Sequence, residues 1–245
     1  MAKTVLITGG SRGIGRATAV LFAAKGWNIA FSFVGNQESV DETCAMCERV
    51  GVTGNVISRK CDVRNEEDVI ALFQAARDRF GSIEGVVNNA GIVAPQSTLA
   101  DMDIERMKTV FDTNVLGAYL VAREAARTLH SGTAIVNVSS VAAKLGSPGE
   151  YIDYAGSKGA IDTLTTGLAK ELGPMGIRVN AVRPGIIETD IHASGGRPER
   201  IAELGPACPL GRAGDPKEVA QSIFWLISND ASYVTGSIVD VSGGR

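Results

Sequence analysis

Short apolar segments alternate with longer amphipathic segments along the whole chain. Residues 4–8 are almost uniformly apolar or β-branched, as expected of a strand that is covered on both faces of a sheet. Residues 13–25 instead carry apolar side chains at helical spacing. The alternation predicts seven strands, at residues 4–8, 28–33, 55–61, 85–89, 133–139, 177–183 and 237–241. It predicts helices at residues 13–25, 38–50, 66–80, 103–129, 154–172 and 215–227, of which the fourth is expected to break near Gly117.

Strands that alternate with helices indicate βαβ units around a parallel sheet. Because the crossovers of such units are right-handed, the helices cover both faces, and the expected fold class is α/β with a doubly wound, seven-stranded sheet. Residues 1–245 show no break in composition, so we expect a single domain. The glycines and prolines of about residues 190–214 predict a long flexible loop near the carboxyl edge of the sheet, where it would act as a lid.

Composition narrows the class of protein. The formal net charge is −3 and no basic run occurs, which argues against a nucleic-acid partner. No apolar run approaches the ~20 residues of a membrane span, and two histidines exclude a multi-histidine metal site. Four cysteines are too few for a disulfide scaffold. Cys44 and Cys47 form a C-x-x-C and are expected to be helix thiols, with a redox or zinc role as the alternative. We therefore expect a cytoplasmic protein without a metal, membrane or nucleic-acid partner.

Glycine is the outlier, because 29 residues of 245 exceed the usual share of ~7%. Several of the surplus glycines lie in the turn after the first strand, Thr8-Gly9-Gly10-Ser11-Arg12-Gly13-Ile14-Gly15. Glycine lets a backbone approach a phosphate closely, and the helix start that follows offers N–H groups and a partial positive charge to an anion. The turn matches neither a P-loop nor G-x-G-x-x-G. Its spacing, T-G-x-x-x-G-x-G, predicts a dinucleotide-binding turn, with a purely structural turn as the alternative.

Further motifs follow in order along the chain: Cys61-Asp62-Val63, Asn88-Asn89-Ala90-Gly91, Asn114, Ser139-Ser140, Tyr154-x-x-x-Lys158 and Pro184-Gly185-Ile186-Ile187-Glu188-Thr189. Together with the glycine-rich turn, the ordered set resembles the short-chain dehydrogenase/reductase family in its single-domain branch. The resemblance extends over essentially the whole chain. It implies a Rossmann-like sheet, a nicotinamide cofactor and the reversible reduction of a carbonyl to an alcohol.

Tyr154 and Lys158 are the predicted acid/base pair. Their i, i+4 spacing places both side chains on one face of a helix. Hydride transfer to a carbonyl leaves an alkoxide that needs a proton. A nearby ammonium and the nicotinium charge are expected to lower the pKa of the tyrosine. Tyr151 has no lysine four residues later and is the weaker candidate.

The resemblance implies two further catalytic residues. Ser140 is expected to donate a hydrogen bond to the substrate carbonyl, with the adjacent Ser139 as the alternative. Ser140 precedes the tyrosine by 14 residues, slightly more than is usual in the family. Asn114 is expected to bind a water of a proton relay that passes through Lys158. The alternative for Asn114 is a residue at a helix kink before Gly117, and in the family it is both.

The resemblance also implies which residues hold the cofactor. Asp62 is expected to accept a hydrogen bond from the adenine amino group, although Asp62 or Asn65 could instead cap the next helix. Asn89 is expected to line the ribose and partly to stabilise the sheet, and Thr189 to bind the nicotinamide carboxamide. The full predicted set is Gly9, Ser11, Arg12, Gly13, Ile14, Gly15, Asn36, Asp62, Val63, Asn89, Ala90, Gly91, Tyr154, Lys158, Pro184, Gly185, Ile187 and Thr189.

The residues after the second strand favour NADP(H), with NAD(H) as the alternative. A carboxylate at that position binds a ribose 2′-hydroxyl and repels a 2′-phosphate. Here the position holds Gly35 and Asn36, and the nearest acids, Glu38 and Asp41, belong to the next helix. Arg12 in the turn can instead pair with a 2′-phosphate, helped by Asn36.

The expected function is therefore reversible NADP(H)-dependent reduction of a small-molecule ketone to a secondary alcohol. The alternative is a regulatory protein that binds NADP(H) without catalysis, which the intact catalytic set disfavours. Residues 234–241 resemble a segment used in tetramer contacts, so a homotetramer is expected. The substrate depends on the lid and on residues 93–98 and 150–153, whose packing the sequence does not define.

Overall fold

Parallel strands form the centre of the computed structural model, which describes residues 2–51 and 55–245. Within these residues one seven-stranded sheet has the order β3-β2-β1-β4-β5-β6-β7, and every neighbouring pair is parallel. The predicted doubly wound α/β sheet is thereby confirmed. The strands are β1 Thr4–Ile7, β2 Asn28–Phe33, β3 Val56–Lys60, β4 Gly85–Asn88, β5 Ala134–Val138, β6 Arg178–Pro184 and β7 Ile238–Val241.

The helices lie on both faces of the sheet. No helix in the described residues is long and apolar enough to cross a membrane. The helices are α1 Gly13–Ala24, α2 Gln37–Val50, α3 Glu66–Phe80, α4 Ile104–Phe111, α5 Ala118–Thr128, α6 Ala142–Leu145, α7 Ile152–Leu172, α8 Ile191–Ser194, α9 Arg200–Leu204 and α10 Pro216–Ile227.

Two apolar layers hold the helices against the sheet. Because successive strand residues point to opposite faces, Ile7 of β1 packs into the layer of α1, α2 and α10, with Phe22 at its centre. Leu6 packs into the opposite layer of α3, α5 and α7, with Phe73. All four side chains are fully buried. The almost uniformly apolar strand pattern therefore reflects a sheet with no solvent-exposed face at its centre.

The strand order reverses direction between β1 and β4, which are neighbours in the sheet. A crevice opens at such a reversal, outside the carboxyl ends of the strands, and this is where open α/β sheets bind ligands. The glycine-rich turn follows β1, and Asn89 follows β4. The topology therefore brings the two predicted cofactor segments to the same edge of the sheet.

The predicted interruption near Gly117 is confirmed, but the chain remains helical through it. Asp112–Gly117 form a π-helical turn that joins α4 to α5. A Cβ atom on Gly117 would meet Cγ2 of Val63 at 2.6 Å. The glycine thus permits close packing between neighbouring segments, and it does not end the helix. A π-helical turn within an α-helix is frequently found at a functional site.

The prediction of one long flexible loop at residues 190–214 is incorrect. The short helices α8 and α9 lie within this segment, which we call the lid segment. Arg200 of α9 is buried and forms a bidentate pair with Glu150, which lies before α7. A contact between residues so distant in the chain cannot be inferred from local glycine and proline content, because these residues only disfavour long regular elements.

The four cysteines are free thiols. Cys44 and Cys47 both lie on α2, as expected. Burial raises the pKa of Cys47 to about 12, and burial also raises the pKa of Cys44. Because the thiolate is the reactive form, this pair lacks the electrostatic setting of a redox motif.

Candidate active site

The glycine-rich turn packs its own backbone tightly at the carboxyl end of β1. Gly9 and Gly13 have φ values of 66° and 53°, in the left-handed region that favours glycine. A Cβ atom on Gly15 would stand 2.2 Å from the carbonyl oxygen of Gly9. A side chain at Gly15 would therefore push the first turn of α1 away from the preceding backbone.

The N-terminus of α1 differs from those of four other helices in having no side-chain cap. Arg12 occupies the N-cap position of α1 and makes no capping hydrogen bond. The first turns of α2, α3, α4 and α10 are capped by Asn36, Asn65, Asp103 and Asp215. The first N–H groups of a helix have no partner within the helix. At α1 these donors and the positive end of the helix dipole remain for an anion, which fits the pyrophosphate of a dinucleotide.

Asn89 ties the glycine-rich turn to β4. Its Nδ2 donates to the carbonyl oxygens of Thr8, at 2.8 Å, and Gly9, at 3.1 Å. The hydroxyl of Thr8 in turn accepts from the backbone N–H groups of Asn89 and Ala90. The expected contribution of Asn89 to the sheet is therefore present. A Cβ atom on Gly91 would lie 3.4 Å from Nζ of Lys158, so the glycine also keeps space in front of the lysine.

Asp62 lies after β3 and does not cap the next helix. Asn65 is the N-cap of α3 and accepts from the N–H groups of Glu67 and Asp68. The carboxylate of Asp62 pairs with Arg64 at 2.6 Å, and this hydrogen bond is the main cause of its lowered pKa. The capping alternative for Asp62 is thus excluded, and an ionised carboxylate remains at the position predicted for adenine.

Tyr154 and Lys158 lie on α7 in a cavity at the carboxyl edge of the sheet. Nζ of Lys158 donates to the carbonyl oxygen of Val138 at 2.8 Å and lies 5.7 Å from the centre of the Tyr154 ring. The i, i+4 prediction of one shared face is confirmed by this geometry. The same cavity is lined by Ser140, Asn89 and Thr189, so the structure brings the predicted catalytic and cofactor segments together.

The two adjacent serines have different surroundings. Oγ of Ser139 is directed to the carbonyl oxygen of Lys158, at 3.1 Å, and to Oδ1 of Asp162, at 2.7 Å. Ser140 hydrogen-bonds the phenol of Tyr154, and its Oγ accepts from the N–H of Ala142. Ser139 therefore supports the helix behind the lysine, and Ser140 is the serine beside the tyrosine.

In the protein chain by itself, the pKa of Tyr154 shifts in the direction opposite to the one expected when a nicotinium charge is also present. Burial raises the pKa of this phenol, and the hydrogen bond from Ser140 opposes the rise only in part. Lys158 is itself desolvated, and burial lowers its pKa to about 8 although Asp162 opposes the fall. Within the chain alone, burial therefore outweighs the ammonium as an influence on Tyr154, because desolvation disfavours the charged form of both groups.

Asn114 lies in the π-helical turn, and both polar atoms of its side chain form hydrogen bonds. Oδ1 accepts from the N–H of Ile92 at 2.8 Å, and Nδ2 donates to the carbonyl oxygen of Ile92 and to Oγ of Ser157. Asn114 therefore lies at the helix kink, as the alternative predicted, and its role in a proton relay stays a prediction. The side chain anchors the loop after β4 to the helix, three residues before Gly117.

The segment after β6 closes the cavity from the opposite side. Pro184, Gly185, Ile187 and Thr189 all line it, as predicted. A Cβ atom on Gly185 would lie 2.7 Å from Cα of Ser242. The glycine is required because the segment after β7 crosses the turn at this point, a contact that only the tertiary structure shows.

The residues predicted to select the cofactor lie on the surface beside the turn. Asn36 is exposed, and its Oδ1 accepts from the N–H of Ser39. Arg12 is exposed, whereas Arg16 is occupied by Ser11, Thr43 and Glu42. No carboxylate follows β2 directly, since Val34, Gly35 and Asn36 occupy those positions.

Two arginines in the cavity lining, Arg200 and Arg245, were not part of the predicted site. Neither belongs to a motif, and each reaches the cavity from a segment far from Tyr154 in the chain. The proline- and glycine-rich composition of the lid segment was the only signal for the first. Among the described residues, no cluster of three or more His, Cys, Asp or Glu is placed to hold a metal ion.

Comparisons with known proteins agree with this geometry. The family model described as enoyl-(acyl carrier protein) reductase matches residues 9–245. The uncharacterized oxidoreductase YgfF of Escherichia coli is 49% identical over 98% of both chains. The NADPH-dependent aldehyde reductase 1 of Arabidopsis thaliana is 37% identical over 99% of this chain and 85% of its own. The crystal structure of levodione reductase superposes with a TM-score of 0.93 at 32% identity, over 99% of this chain and 96% of that one. The chain therefore belongs to the short-chain dehydrogenase/reductase family and is an NAD(P)(H)-dependent oxidoreductase of alcohol and carbonyl groups.

Proposed function

We propose that the protein reversibly reduces a ketone to a secondary alcohol with NADP(H), and that Tyr154 is the acid and base. The observation that carries this proposal is the hydrogen bond between Tyr154 and Ser140. Both residues line one cavity with Lys158 and with the predicted cofactor segments. A positioned acid must lie within hydrogen-bond reach of the reacting oxygen. An oxygen that contacts both hydroxyl groups would meet this condition.

The chain's own residues supply the proton and the electrostatic support. A bound nicotinamide supplies the hydride. The raised pKa of Tyr154 keeps its phenol protonated at neutral pH, as reduction requires. Ser140 donates a hydrogen bond that stabilises the oxygen as negative charge develops on it. Lys158, held by the carbonyl oxygen of Val138, places a positive charge near the phenol and favours phenolate once the proton has left.

The segments around the cavity fit an extended dinucleotide. The uncapped N-terminus of α1 would hold the pyrophosphate, with Gly9, Gly13 and Gly15 shaping the turn. The ribose and nicotinamide half would lie along Ala90 and Gly91 and beside Lys158. Pro184, Gly185, Ile187 and Thr189 would bind the nicotinamide, and Asp62 and Val63 would bind the adenine.

Preference for NADP(H) is supported by charge at the surface beside α1. Arg12 is exposed beside the turn, and the segment after β2 carries no carboxylate before Glu38. Glu42 of α2 is paired with Arg16 at 2.7 Å. A 2′-phosphate would therefore meet an unneutralised guanidinium, helped by Asn36. The NADPH-dependent relative from Arabidopsis is in line with this proposal.

Replacing Asn36 by aspartate is expected to shift the preference toward NADH. The introduced carboxylate would still cap α2, because aspartate caps as well as asparagine, but it would repel a 2′-phosphate. We expect the ratio of the Kd for NADH to the Kd for NADPH to fall about tenfold, or about 1.4 kcal/mol, in fluorescence titrations. Asn36→Ser keeps a cap without adding charge and should change the ratio far less. An unchanged ratio in Asn36→Asp would contradict the proposed position of the 2′-phosphate.

The proposed activity is tested by following the oxidation of NADPH and NADH with a panel of ketones, aldehydes and 3-oxoacyl esters. We expect turnover with at least one ketone, faster with NADPH, and the reverse reaction with the corresponding alcohol. Tight NADPH binding without turnover of any carbonyl would instead support the alternative of a non-catalytic regulatory protein.

We further propose a cytoplasmic homotetramer of single-domain subunits, each with the lid segment over its cavity. The free thiols suit a reducing compartment. Exposed apolar side chains occur on the α4–α5 helix and again on and after α10, which gives two separate surfaces for contact between copies; they are Ile104, Phe111, Leu116 and Tyr119, and Trp225 and Tyr233. A mass of four chains in sedimentation equilibrium is the expected result, and a monomer would refute it.

A further inference from the structure

The lysine and arginine side chains that line the cavity are not matched by any acidic lining residue. Lys158, Arg200 and Arg245 are among the lining residues, and no aspartate or glutamate is. Lys158 stands beside Tyr154, where the carbonyl would react. The two arginines come from the lid segment and from the segment after β7, so they mark the part of the cavity formed by those segments.

Arg200 is a fixed part of this cavity wall. It is buried, and its two terminal nitrogens donate to the two carboxylate oxygens of Glu150 at 2.8 and 2.7 Å. Its guanidinium also lies 5.2 Å from the centre of the Tyr151 ring. Bidentate pairing fixes the orientation of a guanidinium. Glu150 therefore neutralises Arg200, and any excess of charge must come from elsewhere.

Arg245 has no such partner. The described residues place no carboxylate side chain within ion-pair distance of its guanidinium, unlike Arg197 and Arg200 of the lid segment. Its positive charge nevertheless reaches this part of the cavity, because it contributes to the lowered pKa of Glu150. A guanidinium without a side-chain carboxylate partner thus lies near a pair that is already balanced.

The backbone that carries Arg245 is held in place from two sides. Ser242 packs against Gly185, and the hydroxyl of Ser242 donates to the carbonyl oxygen of Arg245 at 3.2 Å. The N–H of Leu210 donates to the carbonyl oxygen of Gly243 at 3.0 Å. The segment therefore lies between the turn after β6 and the lid segment, and this position presents Arg245 to the cavity.

Apolar side chains make up much of the remaining wall. Val93, Leu145, Ile186 and Ile191 line the cavity together with the catalytic and charged residues. Small-molecule sites commonly combine such apolar walls with a few placed polar groups that fix the orientation of the ligand. The wall suits an aliphatic stem, with a polar group at each end.

We propose that the substrate is a carbonyl compound with an anionic group, a carboxylate or a phosphate, at the end remote from the reacting carbonyl, and that Arg245 binds this group. Arg200, held by Glu150 and Tyr151, shapes the same end of the cavity. The inference rests on the proposed carbonyl reduction and names its substrate class. Arginine suits this task because its planar donors match carboxylate and phosphate oxygens.

The test compares matched substrates with and without the charge. The pairs are 5-oxohexanoate with its methyl ester, and dihydroxyacetone phosphate with dihydroxyacetone, each assayed with saturating NADPH. We expect kcat/KM of the wild type to favour the anion at least tenfold in one pair, which also distinguishes carboxylate from phosphate. In Arg245→Gln that preference should fall at least tenfold, mainly through KM, while kcat/KM for the neutral partner changes little.

Arg197→Gln is the matched control. It removes the same charge from the lid segment, but Arg197 is paired with Glu199 and Glu203 and does not line the cavity. It should retain the preference for the anion. Equal use of anion and neutral partner by the wild type, or a preference that persists in Arg245→Gln, would overturn the inference and leave the proposed carbonyl reduction intact.

A binding measurement keeps the anion site testable apart from turnover. Calorimetry would measure the binding of hexanoate and of propyl phosphate to the protein saturated with NADP⁺. If none of the carbonyls is reduced, the proposed activity fails. The anion site is then supported if one probe binds the wild type and binds Arg245→Gln at least tenfold more weakly, and it is rejected if the affinities are equal.

Discussion

Tyr154→Phe is expected to reduce kcat/KM for ketone reduction by about 10³-fold, or about 4 kcal/mol of transition-state stabilisation. The phenol is the acid that the reacting oxygen would contact beside Ser140. Phenylalanine keeps the ring beside Lys158 but carries no proton to donate. The measurement is steady-state NADPH oxidation, together with a fluorescence titration of NADPH. We expect the Kd for NADPH to change less than threefold, because the phenol is assigned to the chemistry.

Tyr151→Phe is the comparison for this result. Tyr151 lines the same cavity and lies against Arg200, but it is the N-cap residue of α7, two helical turns before Lys158. Its ring is retained in phenylalanine. We expect this variant to keep at least a tenth of the wild-type kcat/KM. Undiminished activity in Tyr154→Phe would refute the acid/base assignment whatever Tyr151→Phe shows.

Lys158→Met is expected to abolish most turnover and to make the folded protein more stable at neutral pH. Burial lowers the pKa of Lys158 to about 8, against ~10.4 for an unperturbed lysine. Its charge therefore costs on the order of 3 kcal/mol of folding stability below pH 8. Loss of the hydrogen bond to Val138 offsets about 1 kcal/mol of the gain in the variant. We expect kcat/KM to fall at least 100-fold, and the free energy of unfolding at pH 7 to rise by about 1–2 kcal/mol.

The pH dependence distinguishes this explanation from simple repacking. Between pH 8 and 10 the unfolded chain holds the lysine proton and the folded chain does not, so the wild type regains stability as the pH rises. The advantage of Lys158→Met, measured by urea unfolding, should therefore shrink over this range. Lys170→Met, at an exposed position of the same helix, should show no such trend. A gain that is the same at pH 7 and pH 10 would count against a buried charge at Lys158.

Local rules predicted the elements well because several signals agreed. The apolar segments that became β1 and β4 and the helical spacing of apolar residues in α3 reflect burial on a doubly covered sheet. At Gly117 local rules gave the right place for the interruption between α4 and α5, but they treated the glycine as a helix end. The glycine instead serves contact with Val63, which is distant in the chain. A sequence pattern cannot distinguish these two reasons for a glycine.

In the site, too, local spacing predicted some features and packing decided the others. The i, i+4 spacing alone placed Tyr154 and Lys158 on one face of a helix. Which of two serines lies beside the phenol was decided by packing, since Asp162 engages Ser139 and leaves Ser140 beside the tyrosine. Likewise the choice between Asp62 and Asn65 as helix cap depended on backbone geometry at the end of β3. Burial also reversed the expected direction of the tyrosine's pKa in the chain.

The sequence by itself determined the class of fold, the order of the motifs and the pair of residues to which the chemistry is assigned, because each is recorded in local patterns of residues. Only the tertiary structure decided what surrounds that pair. Arg200 and Arg245 reach the cavity from segments far apart in the chain, and burial is the main cause of the raised pKa of Tyr154 and the lowered pKa of Lys158. Desolvation and long-range charge are properties of the packed molecule, so no local pattern of residues records them.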